Sequence, residues 1–316
     1  MRIIIITQGV SRIVRPLLDS NHDIVGIVEC APRGYKSQND FFIKRLYQKL
    51  FTRNTLKQIA KHRNIPYYFM TSSNDVKLQN WIEDLVPELI IVRSMSFLLK
   101  KTIFSIPKYG SINIHTALLP RYRGPSSAFW QYVNMETEQG VTIHYIDEGE
   151  DTGDILYQGI SKIPLGLKSP ERLDILVTQI AVPALFGVIE KLENGTITPI
   201  KQPLSSPTPK ARNLKLSEHS SFIKWDTWPI EKIWNILRGT ELWLNALEPP
   251  KGIYSDARWI IDDYIKTSVT ERYVLGKIYK NKKTYFVVCK DGIINIHVNF
   301  NLKCFIKFLI RSFYVW

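Results

Sequence analysis

Ile112-Asn113-Ile114-His115, preceded by the apolar runs Ile3–Ile6, Ile24–Val28 and Leu89–Val92, decides the fold. Each run is short, and amphipathic segments separate one from the next. That alternation predicts βαβ units and a Rossmann-like, mostly parallel α/β sheet. Ligands on such sheets bind in the crevice beyond the carboxyl ends of the strands, where Asn113 and His115 come at the end of their run. Residues two apart on a strand point to one face, so the amide and the imidazole should project together. An amide donor can hold a developing oxyanion, and a histidine can take the proton that a nucleophile must lose. A carboxylate should orient the ring. Asp151 is preferred because it lies on a glycine-flanked turn, with Asp147, Glu148, Glu150 and Asp154 as near rivals. After the first strand comes Thr7-Gln8-Gly9-Val10-Ser11, whose single glycine leaves a nicotinamide-dependent reaction without its phosphate turn.

Three segments carry a resemblance: Asn113-Ile114-His115, then Ala117-Leu118-Leu119-Pro120-Arg121-Tyr122-Arg123-Gly124, then Asp147-Glu148-Gly149-Glu150-Asp151-Thr152-Gly153. In these the chain resembles the formyltransferase family, whose pattern is Asn-x-His, Ser-Leu-Leu-Pro-x-Tyr-Arg-Gly and Asp-x-Gly-x-Asp-Thr-Gly. Ala117 stands where the family usually has serine. The resemblance implies a formyl group moving from 10-formyltetrahydrofolate, as cosubstrate, to an amine, with Asn113, His115 and Asp151 as catalytic residues. It also implies that Met95, Phe97, Leu99, Asp147, Glu148 and Asp151 hold the folate, although Met95 to Leu99 could equally be plain core. Arg121 and Arg123, flanking Tyr122, suit bidentate contacts to an anionic substrate, or else a salt bridge to the Asp147–Asp151 loop. No Ser or Cys nucleophile accompanies His115, which argues against a covalent acyl-enzyme. His144 reads as a strand residue with a satisfied ring.

The chain contains its own control, because Ile294-Asn295-Ile296-His297 repeats the tetrapeptide after the hairpin signal Asp291-Gly292, with no acidic residue following. The second copy reads as an alternating strand with two half-exposed polar side chains.

Length and composition set the frame. The 316 residues suggest two domains, and 45% apolar content allows each a core. No apolar run reaches the length needed to cross a bilayer, and Arg2-Ile3-Ile4-Ile5-Ile6 starts as a strand instead of a signal peptide, so a cytoplasmic location is expected. Cys30, Cys289 and Cys304 lack metal or disulfide spacing, and no His or Cys cluster has ligand spacing, so no metal is expected. The net charge of +13 favours anionic partners without choosing among tRNA, a nucleotide-sugar diphosphate and lipid.

The expected organisation is a catalytic domain over 1–204, a Pro/Ser-rich linker over 205–215, a smaller β-rich, barrel-like domain over 216–300, and a tail over 301–316. Ser169-Pro170-Glu171 opens a long helix that Asn194-Gly195 ends, with a kink near Pro183. A helix is expected from Pro229 to Arg238, then strands around Ala257–Ile261, Leu275–Tyr279, Thr284–Val288 and Ile293–Val298. In the tail, Leu302, Phe305, Ile306, Leu309, Ile310 and Phe313 recur at helical spacing, with Lys303, Lys307 and Arg311 on another face. This predicts a basic amphipathic helix that packs on the body or on a second subunit of a homodimer, with weak membrane-surface contact as the alternative.

The acceptor is read from departures within the resemblance. Family members that formylate initiator methionyl-tRNA carry Gly-Arg-Gly-Lys and Pro-Ser-Pro after the second strand. Here the region reads Ala31-Pro32-Arg33-Gly34-Tyr35-Lys36-Ser37-Gln38-Asn39-Asp40, followed by a basic stretch from Phe41 to Arg53. Arg93-Ser94-Met95 replaces the family's usual Ala-Tyr-Gly. Both departures point to the branch that N-formylates a nucleotide-linked amino sugar, an amino-dideoxysugar destined for a surface glycan such as lipopolysaccharide O-antigen. Methionyl-tRNA is the alternative acceptor. A non-catalytic nucleic-acid-binding module would need only the basic surfaces, and the intact Asn113, His115 and Asp151 argue against it.

Overall fold

A computed structural model of the chain describes residues 1–35, 55–255, 257–281, 284–302 and 304. The basic stretch Phe41–Arg53, the part of its loop beyond Tyr35, and the tail beyond Leu302 apart from Cys304 lie outside the described residues.

Seven strands form one sheet in the order β3-β2-β1-β4-β5-β6-β7. They are β1 (Arg2–Thr7), β2 (Asp23–Cys30), β3 (Tyr67–Met70), β4 (Leu89–Arg93), β5 (Ser111–His115), β6 (Glu138–Tyr145) and β7 (Ile155–Lys162). The first five run parallel, and β6 lies antiparallel to β5. A central parallel strand is buried on both faces, which is why β1 is a continuous isoleucine run. Ile3, Ile4, Ile5 and Ile6 are all fully buried, each stabilising the fold by roughly 1.5–3 kcal/mol over exposure. On one face Ile4, Ile6, Ile90 and Val92 pack with Leu78 and Ile82, from the helix Val76–Asp84, and with Leu99 and Ile103.

Two compact units divide the chain. One comprises Met1–Ser127, Glu138–Ser161 and Leu173–Ala211, and the other Ala128–Thr137, Lys162–Arg172 and Arg212–Trp316. In the second unit the sheet order is β8-β11-β10-β9, from β8 (Ile260–Lys266), β9 (Ile278–Asn281), β10 (Thr284–Cys289) and β11 (Gly292–His297). The pairings are antiparallel, and among the described residues these strands make one four-stranded sheet, the smaller β-rich part expected after the α/β domain. The helix Ile230–Gly239 buries Ile233, Ile236 and Leu237 against Ile261, Val287, Ile294 and Ile296. Its Asn235 accepts from Gly166 N at 2.7 Å and donates to Tyr132 O at 2.9 Å, so a fully buried amide is satisfied. Arg172 is less satisfied. It is 1% exposed, its guanidinium stacks 3.6 Å from the Tyr132 ring centroid, and its three side-chain nitrogens have no hydrogen-bond partner.

The helix opened by Ser169 runs to Glu193, but a π-helical stretch, Ile175–Ala181, occupies the place where a kink was expected. Pro183 falls in the first turn of the α-helical segment Val182–Glu193, where a missing N–H is tolerated. By length and composition Ser169–Glu193 could cross a membrane. The expectation that no run is long enough counted uninterrupted apolar residues, and Thr178 and Gln179 break this one. Its apolar side, including Leu176, Val177, Ala181, Leu185, Val188 and Ile189, is buried within the protein.

Candidate active site

Strand register brings the polar groups together. Val92 of β4 pairs with Asn113 of β5, and across the antiparallel neighbour Asn113 faces His144 and His115 faces Thr142. Cross-strand partners share a face, so Asn113, His115, Thr142 and His144 converge at one end of the sheet. The loop after β6 then returns Asp151 over them. Its backbone is left-handed at Asp151 (φ 56°), and Tyr145 N bonds Asp154 O at 2.9 Å. Gly153 is required in that return, because a Cβ there would lie 1.9 Å from the Tyr145 carbonyl oxygen.

The Asp151 carboxylate, 12% exposed, is held on several sides. Oδ2 accepts from Gly124 N at 2.8 Å and lies 3.5 Å from His115 Nδ1, while Oδ1 accepts from Asn113 Nδ2 at 3.3 Å and lies 3.5 Å from His144 Nε2. Burial pushes the Asp151 pKa up, but His115, His144 and the Gly124 N–H together hold it well below the usual carboxylate range. His115, 7% exposed, has its pKa lowered chiefly by burial, with Asp151 opposing and His144 and Arg93 reinforcing the shift. Its Nε2 lies 3.0 Å from the Tyr122 carbonyl, which can only accept. The neutral ring therefore carries its proton on Nε2 and its lone pair on Nδ1, facing Asp151.

His144, a strand residue with a satisfied ring, belongs to this cluster. Its Nδ1 donates to Tyr145 O at 2.8 Å, which leaves Nε2 to accept from Asn113 Nδ2 at 3.2 Å. The amide nitrogen thus sits between a carboxylate and an imidazole, and its orientation is fixed by both. The signal was present in the sequence: His144 and Thr142 alternate on one strand face, but only the β5–β6 register places them opposite Asn113 and His115.

The residues around this centre divide by what they touch. Arg123 donates to Gln202 Oε1 at 2.8 Å, Pro203 O at 2.8 Å and Leu204 O at 3.1 Å, so its guanidinium is spent on protein groups other than the acidic loop. Gln202 in turn donates to Asp151 O at 3.1 Å and Gly153 O at 2.6 Å. The arginine that the sequence offered to substrate therefore buttresses the Asp151 turn. Tyr122 is buried with left-handed backbone (φ 58°) and supplies the carbonyl that fixes His115, while the Arg121 guanidinium lies 5.3 Å from the Tyr122 ring centroid. Asp147 is occupied in its own loop, accepting from Gly149 N at 3.0 Å and Thr152 Oγ1 at 2.7 Å. Glu148 is exposed and pairs with Lys101 at 3.2 Å. Leu99 is buried in the sheet core, whereas Met95 and Phe97 are half-buried at its edge. The second Asn-x-His has another environment: Ile294 and Ile296 point into the core, and His297 Nδ1 pairs with Asp262 Oδ2 at 2.7 Å, both half-exposed. No group of three or more His, Cys, Asp or Glu with metal-binding geometry occurs among the described residues.

Comparison with known proteins shows what the chain is similar to. A family profile described as formyl transferase matches residues 2–175. A methionyl-tRNA formyltransferase from Alkaliphilus oremlandii is 33% identical over 234 residues, covering 73% of this chain and 69% of that protein. One of the same name from Clostridioides difficile is 28% identical over 280 residues, covering 89% and 82%. Among solved structures, the N-formyltransferase from Helicobacter canadensis in complex with folinic acid and dTDP-3-aminofucose matches with TM-score 0.56 and 17% identity, over 95% of this chain and all (100%) of that one. HypX from Aquifex aeolicus matches with TM-score 0.59 and 15% identity over 94% of this chain, which spans 45% of HypX. At these identities the structural likeness shows the fold alone.

Proposed function

Because the chain belongs to the formyl transferase family, we propose that it moves a formyl group from 10-formyltetrahydrofolate to the amine of a nucleotide-linked amino-dideoxysugar, in the cytoplasm, for surface glycan or O-antigen biosynthesis. The convergence of Asn113, His115 and Asp151 carries the chemical part of this reading. The half-buried Met95 and Phe97 beside the strand ends fit an apolar wall for a pterin ring, and Leu99 backs them from the core. Asp147 serves by shaping the loop that presents Asp151.

In the proposed reaction the neutral amine of the acceptor attacks the formyl carbon. Asn113 Nδ2 has two N–H donors, and in the reaction one of them turns from His144 Nε2 to the oxygen that becomes negative, while Asp151 keeps the other. His115 takes the amine proton on Nδ1, its free lone pair, directly or through one water. A proton arriving there meets the Asp151 carboxylate at 3.5 Å, so the imidazolium is stabilised as it forms. The tetrahedral centre then collapses: the bond from the formyl carbon to the folate N10 breaks, and the proton passes from His115 to that nitrogen, so tetrahydrofolate leaves neutral. Burial keeps His115 neutral beforehand, as a base must be, against the opposing pull of Asp151 and the Tyr122 carbonyl.

Arg93-Ser94-Met95 in place of Ala-Tyr-Gly supports the sugar-nucleotide acceptor. A second reading, transfer to methionyl-tRNA, is favoured by the name of the 33% identical relative. Incubating the full chain with formyltetrahydrofolate and a panel of amino-dideoxysugar nucleotides, with charged initiator tRNA alongside, separates them by mass. The proposal expects the formyl gain on a sugar nucleotide, and faster transfer to tRNA under identical conditions overturns it. Salt is an independent check, since a tRNA contacted through many phosphates loses affinity steeply as salt rises.

A further inference from the structure

β4 ends on a charge. Arg93 pairs with Thr7 of β1 in the strand register, one residue after the pair Val92–Asn113, so it stands at the carboxyl end of a central strand beside the catalytic cluster. Among the described residues its guanidinium makes one hydrogen bond, from Nη1 to Ile114 O at a long 3.4 Å, and no ion pair with a carboxylate. Arg12, in the loop that follows β1, is a second guanidinium close enough to repel it. Arg12 has a counter-charge, since its Nε donates to Asp174 Oδ1 at 2.8 Å. Burial, and then Arg12, push the Arg93 pKa down to about 10, and the Arg93 charge in turn reaches His115. Two like charges therefore stand near one another, and Arg93 itself has no carboxylate partner among the described residues. An arginine fork with one weak backbone acceptor retains donors for phosphate oxygens.

We propose that Arg93, assisted by Arg12, holds the diphosphate of the acceptor and thereby places the amine of the attached sugar against His115. The proposal rests on the sugar-nucleotide reading above and deepens it. It accounts for a residue that is otherwise costly: a half-buried guanidinium at a strand end is retained because an anion completes it. It also assigns anion recognition to Arg93, most of whose donors are spare, and away from Arg123, most of whose donors are spent on protein groups.

The test uses the full chain with Arg93→Met, which keeps the apolar stem, and Arg93→Lys, which keeps the charge and loses the fork. Calorimetry measures binding of thymidine and uridine diphosphates and, separately, of 5-formyltetrahydrofolate. Steady-state kinetics with the amino-sugar nucleotide separates KM from kcat. For Arg93→Met, nucleoside diphosphate affinity should fall about 10- to 100-fold, the range for losing a charge-assisted hydrogen-bonded pair. The kinetic defect should lie in KM, folate affinity should stay within about twofold, and Arg93→Lys should recover part of the loss. Unchanged diphosphate affinity in both variants overturns the proposal, as does a defect confined to folate binding. Should Arg93→Met fail to fold, Arg93→Lys decides alone: diphosphate binding as tight as in the parent sinks it. The two readings fail separately. Sugar nucleotides formylated with the parent's KM in the variants remove the anion site and leave the acceptor; Arg93-dependent diphosphate binding without sugar formylation removes the acceptor and leaves the site.

Discussion

Replacing Asp151 by asparagine preserves shape and removes one charge, which isolates what the carboxylate does for His115. At 3.5 Å and an effective dielectric of 20, the attraction between the carboxylate and an imidazolium is about 5 kcal/mol, an upper bound. The amide keeps an acceptor for Gly124 N but turns a donor toward Asn113 Nδ2, so part of the oxyanion donor's orientation is lost as well. Turnover should fall about 10²–10³-fold, equivalent to about 3–4 kcal/mol. The pH profile gives a sharper readout. In the proposed reaction His115 acts unprotonated, so activity should rise with pH through its pKa, and burial places that limb below the ordinary histidine value. Asp151 opposes the lowering, and without it the limb should move further toward acid while the plateau drops. Single-turnover formyl transfer across pH 5–9, read by mass, measures both quantities. A limb that stays put or moves toward alkali, or a loss below about fivefold, would refute the pairing of these residues.

The remaining expectations concern neighbouring groups. His144→Gln should lower turnover by about 10- to 100-fold through the Asn113 amide it helps to aim, whereas His297→Ala, on the repeated tetrapeptide, should change the chemical step by less than about twofold. Gly153→Ala forces a Cβ to 1.9 Å from a carbonyl oxygen; it should cost at least the roughly 1–3 kcal/mol typical of overpacking and lower the melting temperature accordingly. Arg172→Met should hold or raise the melting temperature, since the unpaired charge costs several kcal/mol to bury and stacking on Tyr132 returns only about 2 kcal/mol. Asp151, whose folded pKa is depressed, contributes stability above the usual carboxylate range that is lost as pH falls below it. Acid unfolding followed by circular dichroism should therefore show a smaller pH dependence for Asp151→Asn than for the parent.

The fold was legible where burial is two-sided. β1, β2 and β4 are near-continuous apolar runs because helices or loops cover both faces. β3 escapes that reading: Tyr67-Tyr68-Phe69-Met70 is four residues long, lies at the sheet edge and leaves Phe69 exposed. In the second unit the expected Ala257–Ile261 strand shifts to Ile260–Lys266, because the adjacent acids Asp262 and Asp263 break any apolar pattern in β8 and its boundary is set by pairing with β11. The centre of the site was legible as a sequence pattern, since Asn113 and His115 share a strand face. His144 was not, because its role depends on the β5–β6 register, and strand pairing is a nonlocal choice that no single strand's spacing encodes. Arg123 misled for a related reason. A guanidinium near a catalytic strand invites an anion, but its partners, Gln202 and the carbonyls of Pro203 and Leu204, lie about eighty residues away and are brought in only by folding.

The central claim is that Asn113, His115 and Asp151 transfer a formyl group to an amine on a nucleotide-linked sugar. It is tested most directly by mixing the full chain with carbon-13 formyl-labelled tetrahydrofolate and amino-dideoxysugar nucleotides, and following the mass of each acceptor. The account predicts one labelled formyl on a sugar nucleotide, with His115→Ala slower by about 10²–10⁴-fold and Asn113→Ala by about 10²–10³-fold. Label transfer that proceeds at the parent rate in folded His115→Ala or Asn113→Ala, or that reaches only methionyl-tRNA, would contradict it.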